Sequence, residues 1–179
     1  MVAFDPDRHH RRSIRLPAFD YASPGAYFVT VCTYGRRRLF GEVAAGEMRL
    51  NPFGLVAEEC WRAIPDHFGH VALDAFVVMP NHIHGIIVLV EARHAAPRQE
   101  FFGKPVAGSI STIVRSFKSA ATRCINEMQG APGAAIWQRN YYEHIIRDET
   151  DWSRIREYIQ MNPARWQEDR ENPRGAMRQ

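Results

Sequence analysis

The chain has 179 residues, with 23 lysines and arginines against 20 aspartates and glutamates, a net charge of +3 and a hydrophobic share of 45%. That length suits one domain with a buried core, and no apolar run reaches the ~18 residues that a membrane span needs. Residues 1–15 are charged and histidine-rich with no apolar stretch, which excludes a secretory signal. Cys32, Cys60 and Cys124 stand far apart without a CxxC pair, so buried thiols of a cytoplasmic protein are expected rather than a disulfide framework or zinc knuckle.

Residues 1–24 read as a basic arm leading into the fold. Seven arginines (8, 11, 12, 15, 36, 37, 38) face three acids within residues 1–38, a balance of +4 that leaves −1 for the rest of the chain. A basic region on a nearly neutral body fits either a polyanion partner met at one face or a solvated tail. Ala26–Tyr34 is rich in aromatic and β-branched residues, the composition of a strand. Gly35 and Arg36–Arg38 form a turn, and residues 41–50 suggest a ragged hairpin. Asn51-Pro52 opens a helix that runs to about Phe68, with Pro65 disturbing its end.

Ala72–Met79 and His82–Val90 are apolar runs broken by Pro80-Asn81, either an antiparallel pair or one long bulged strand. Residues 91–104 are polar and read as a surface loop. Ser109–Met128 carries Ile110, Ile113, Val114, Phe117, Ala121, Cys124 and Ile125 at helical spacing, with Arg115 and Lys118 elsewhere on the wheel. Trp137–Arg147 is expected as a strand, Asp151–Met161 as a last helix, and residues 167–179 as a polar, frayed tail. Strands and helices mix without regular βαβ alternation, so the fold class is α+β, one domain with a central antiparallel sheet and packed helices over residues 25–166. No G-x-G-x-x-G or Walker loop occurs, so no nucleotide cofactor is implied.

Two features carry chemistry. On a strand, His82 and His84 point to the same face, and two adjacent imidazoles can bind a divalent metal with positions left open for a substrate oxygen. On a helix, Tyr158 and Asn162 share a face, pairing a potential nucleophile with an amide oxygen suited to a hard cation. The bland alternatives are an incidental His-x-His, a packing tyrosine and an Asn C-cap before Pro163. Tyr141 and Tyr142 are alternative nucleophiles. Trp137, Tyr141 and Trp166 are candidates for stacking on unpaired bases.

The run MPNHIHGIIVLV (79–90) resembles the HUH motif of single-tyrosine nucleases. IWQRNYYEHIIRD (136–148), YIQMNP (158–163) and RRSIRLPAFDYASPGAYFVTVCT (11–33) resemble the REP-associated tyrosine transposases within that superfamily. The resemblance implies a ferredoxin- or RRM-like sheet, with His82, His84 and Asn162 as metal ligands and Tyr158 as nucleophile. It implies Mg²⁺ or Mn²⁺ as cofactor, and cleavage and rejoining of hairpin-bearing single-stranded DNA through a 5′-phosphotyrosine. Arg11, Arg12, Arg15, Arg36, Arg37, Arg38, Arg115 and Lys118 are then candidate DNA contacts, with Glu143 and His144 behind the ligands or facing DNA. The resemblance favours a monomer over a homodimer, with no membrane partner. The rival readings are a binding-only relative and a metal-dependent phosphodiesterase that uses water.

Overall fold

A computed structural model describes residues 21–90 and 106–173. Residues 1–20 of the arm, with Arg11, Arg12 and Arg15, and the whole 91–104 loop therefore lie outside the described residues. Strands β1 (Gly25–Cys32), β4 (Val71–Met79), β5 (His82–Leu89) and β6 (Tyr142–Ile146) form one antiparallel sheet in the order β4-β5-β1-β6. The two runs around Pro80-Asn81 are thus an antiparallel pair. Gly41–Ala44 (β2) and Glu47–Leu50 (β3) make a separate hairpin, with Ala45 and Gly46 at positive φ in its turn. Helices are α1 (Pro52–Arg62), the short α2 (Ile64–His67), α3 (Ile110–Met128) and α4 (Glu149–Met161).

Strand alternation divides the sheet into two faces. On one, Tyr27, Val29, Val31, Ile83 and Ile87 pack with Trp61 of α1 and with Ile113, Val114 and Phe117 of α3. On the other, Ala26, Phe28, Ile86 and Ile146 receive Ile155 and Ile159 of α4. Thr30, His82 and His84 alternate onto this second face. The same pattern that builds the core thus delivers both histidines to the α4 side.

Asn51 caps α1 by accepting from the Gly54 amide, with Pro52 at its first position. Asp148 caps α4 through the Asp151 amide, so the helix starts two residues earlier than its apolar pattern suggests. The expected strand over 137–147 is shorter than its composition implies. Lys118 Nζ donates to the carbonyls of Gln138 and Asn140 at 2.9 and 3.0 Å and also reaches that of Arg139. These carbonyls turn toward the ammonium instead of a neighbouring strand, and Trp137 forms only an isolated bridge to Thr33.

The expectation of a frayed tail from residue 167 is corrected over residues 167–173. A 3-10 turn, Trp166–Glu168, leads into a folded strap in which Asp169, Glu171 and Asn172 are all buried. It closes on itself through Asn172 Nδ2 to Trp166 O and the Glu171 amide to Asp169 Oδ1.

Candidate metal and tyrosine site

His82 and His84 lie with ring centroids 4.3 Å apart and are almost fully buried. Asn81 fixes the first. Its Nδ2 donates to two carbonyls, Glu171 O at 2.7 Å and Arg36 O at 3.2 Å, so its Oδ1 must be the atom 2.9 Å from His82 Nδ1. His82 therefore carries a proton on Nδ1 and turns Nε2 into the site. His84 Nδ1 is 2.8 Å from Thr30 Oγ1, which sits opposite it in the β1–β5 register. The Tyr158 hydroxyl lies 3.2 Å from His84 Nε2, the arrangement expected if the phenol donates to a basic Nε2. Both imidazoles thus present the same nitrogen to one point, each anchored behind by a polar partner.

The third group at that point is Asp169. Its Oδ2 is 3.9 Å from both His82 Nε2 and His84 Nε2, and ligand atoms of the three residues all lie within 4.8 Å of one another. A gap of 3.9 Å exceeds a hydrogen bond, but two ligands each ~2.1 Å from a shared ion stand up to ~4.2 Å apart. Asn162 enters through its other end: Nδ2 donates to Asp169 Oδ2 at 2.8 Å, while its buried Oδ1 has no hydrogen-bond partner among the described residues. Turning the amide over would set oxygen against carboxylate, so this orientation is fixed. Burial would raise the Asp169 carboxyl, but the His84 and His82 imidazoles, the Glu171 amide and Asn162 outweigh it and hold it well below the usual range. Two imidazoles, a carboxylate and an orphaned amide oxygen fit a divalent cation.

Tyr158 projects from α4, the residue 41% exposed and its ring edge-on to Phe28 at 6.0 Å. Burial of the hydroxyl end, then the negative charges of Asp169 and Glu171, push the phenol up to about 12, against smaller opposing effects of Asn162 and Arg170. The helix is fixed at both edges of the sheet. Asp74 on β4 accepts from Trp152 Nε1 and, at 2.8 Å, from Arg156 Nε. His144 on β6 meets Asp151 at 2.7 Å.

The other candidates fall into different places. Glu143 points to the opposite face of β6 and accepts from the Tyr141 hydroxyl, away from the metal site. His144 shares the site's face but holds α4 rather than a ligand. Arg36, Arg37 and Arg38 have internal partners. Arg36 pairs with Glu171 at 3.1 Å and donates to Arg170 O, and Arg38 donates to Asn172 Oδ1 and lies over the Trp166 ring. Arg37 donates to the carbonyls of Tyr34 and Ala135. Arg115 is exposed on α3, across the sheet from the histidines, where Lys118 is occupied by its three carbonyls. Trp137 and Trp166 are buried, and Tyr141 is partly buried beneath Lys118. Among the described residues no helix is long and apolar enough to cross a membrane.

No family profile matches the chain. It is 43% identical over 168 residues to an uncharacterised protein of Haemophilus influenzae, covering 90% of this chain and 92% of that protein. A second Haemophilus influenzae protein, provisionally named a REP-associated tyrosine transposase, is 23% identical over 146 residues, covering 82% of this chain and 74% of the relative. The structure of a REP-associated tyrosine transposase bound to a REP hairpin superposes with a TM-score of 0.58 at 20% identity, covering 93% of this chain and 74% of that one. The chain shares the fold of that transposase.

Sequence reasoning named His82, His84, Tyr158 and Asn162, and the fold brings all four together. It missed Asp169 and the anchoring roles of Asn81 and Thr30. The signal for Asp169 was a carboxylate seven residues past Asn162, in an acidic stretch behind Trp166. The signal for Asn81 was its place beside the first histidine.

Proposed function

We propose that this REP-associated tyrosine transposase relative is a divalent-metal-dependent nuclease that cuts and rejoins single-stranded DNA beside a hairpin, with Tyr158 as nucleophile. The observation that carries the reading is the Tyr158 hydroxyl within hydrogen-bond reach of His84, at the mouth of the His82, His84 and Asp169 cluster. His82, His84 and Asp169 would hold the cation, with Asn162 Oδ1 as a further donor. A bound Mg²⁺ or Mn²⁺ would supply the positive charge that polarises the scissile phosphate and favours the phenolate.

Tyr158 Oη attacks phosphorus, forming a tyrosyl O–P bond while the P–O3′ bond breaks. The phenol loses one proton and the departing 3′ oxygen gains one, so the step consumes none. The strand's 5′ end stays on the protein as a phosphotyrosine. Because the phosphodiester has been exchanged rather than hydrolysed, a free 3′-hydroxyl can reverse the attack and rejoin strands without ATP. Ile155 and Ile159 in the sheet, with Asp74 and His144 at its edges, hold the helix so that the phenol faces the ligand side. Such prior placement removes part of the entropic barrier to an in-line transfer. The hairpin bound by the structural neighbour makes hairpin-bearing single strands the substrate class to try first.

The test incubates the chain with hairpin-bearing single-stranded DNA and Mn²⁺ or Mg²⁺ and looks for a covalent adduct on denaturing gels. An adduct lost in Tyr158→Phe, with DNA binding retained, supports the reading. Cleavage that survives Tyr158→Phe points to a water nucleophile. Binding without cleavage under all metals points to a binding-only relative.

A further inference from the structure

We infer that Tyr142 is a stacking platform for an unpaired base beside the scissile phosphate, an inference that rests on the tyrosine-nuclease reading above. Tyr142 lies on β6 opposite Thr30, the partner of His84, and is 45% exposed. It shares one neighbour with the nucleophile. Phe28 meets the Tyr142 ring edge-on at 6.2 Å and the Tyr158 ring edge-on at 6.0 Å, and lies 5.4 Å from His84. The half-exposed rings of Tyr142 and Tyr158 thus flank Phe28, on the face that carries the histidines.

The strand geometry explains why this ring stays open. Among the described residues β6 forms the sheet edge, paired to β1 alone, and Tyr142 precedes the point where His144 reaches across to α4. The other aromatics considered as stacking partners are engaged elsewhere. Trp166 packs against His82 under Arg38, Trp137 lies in the core on the opposite face, and Tyr141 is tied to Glu143 beneath Lys118. A strand whose phosphate enters the metal site must leave past one side of Tyr158. Stacked nucleotides rise ~3.4 Å each, so one on the Tyr142 side meets this ring within a few positions. Each base has a π face, so an aromatic platform holds a strand without reading its sequence.

The test uses the full chain carrying Tyr158→Phe, so that binding is measured without cleavage. The probe is a hairpin-bearing single-stranded oligonucleotide with 2-aminopurine walked through the unpaired flank, in the presence of Mn²⁺. Stacking on a ring should quench fluorescence at one or two adjacent positions. That quench should persist with Tyr142→Phe and Tyr142→Trp, and disappear with Tyr142→Ala as affinity falls roughly 5- to 150-fold, the range for losing one base–aromatic stack. Unchanged affinity and quenching in Tyr142→Ala, or no quenching at any position, would overturn the inference. So would an adduct that disappears in otherwise wild-type protein with Tyr142→Phe, which would make this residue the nucleophile. An otherwise wild-type chain that forms no adduct overturns the nuclease reading, while the binding measurement stands separately because it needs no cleavage.

Discussion

Two buried histidines can only serve as ligands if their lone pairs face the same way, and Asn81 decides this for His82. Replacing it with Ala removes the acceptor behind Nδ1 and also releases the carbonyls of Arg36 and Glu171. Mn²⁺ affinity measured by calorimetry should fall about 10- to 100-fold, the usual cost of losing a partner behind a metal ligand. An unchanged affinity would show that the imidazole holds its orientation without Asn81. The phenol gives a second handle. Its value in the folded chain, about 12, lies above the ordinary 10.0. The folded state therefore binds the proton more tightly than the unfolded one, and the stability this gives is complete below pH 10 and lost as pH rises toward 12. Metal-free protein should lose urea resistance across that window, and Tyr158→Phe should flatten the decline.

At the level of elements, α4 is held by apolar packing in its middle and by polar clamps at both sheet edges. The β4 clamp coincides with an irregularity in the β4–β5 register between Leu73 and Phe76, which sets Asp74 beneath the helix. Asp74→Ala should cost about 1–2 kcal/mol, as expected for charge-assisted bonds that are partly exposed. It should slow adduct formation more than it weakens Mn²⁺ binding, since the ligands lie elsewhere; equal losses would show general unfolding instead. Across the sheet, a Cβ at Gly85 would come within 2.4 Å of the fully buried Trp61 indole. Gly85→Ala should therefore cost about 1–3 kcal/mol by overpacking, read from urea midpoints. These elements were legible to different degrees. The strands and α3 announce themselves through periodicity, because each buries one continuous face. The false extension of β6 through Trp137–Tyr141 was not legible, since the side chain that claims those carbonyls sits about twenty residues upstream on another element. The His-x-His pair needed only strand alternation. Asp169 needed the whole fold, because nothing local to residues 166–172 says that Arg36, Arg38 and Asn81 will receive them. The same contacts explain why an arginine cluster that looks made for phosphate is already engaged internally.

For the whole molecule, metal binding at this site would be coupled to stability. A cation bound only by the folded chain stabilises it by mass action, about 2.7 kcal/mol when present at a hundred times its dissociation constant. Mn²⁺ should therefore raise the melting temperature of the intact chain, and EDTA should reverse the rise. The shift should vanish in His82→Ala and shrink sharply in Asp169→Asn, whereas a full shift in Asp169→Asn would remove the carboxylate from the ligand set. The strap has one more consequence, at the level of the gene. A nonsense mutation or frameshift just after the Asn162 codon would spare His82, His84, Tyr158 and Asn162, the residues by which such a sequence is recognised. It would nevertheless delete the only carboxylate among the described residues that meets the two histidines. A survey counting intact copies by those motifs alone would score such a pseudogene as a working one.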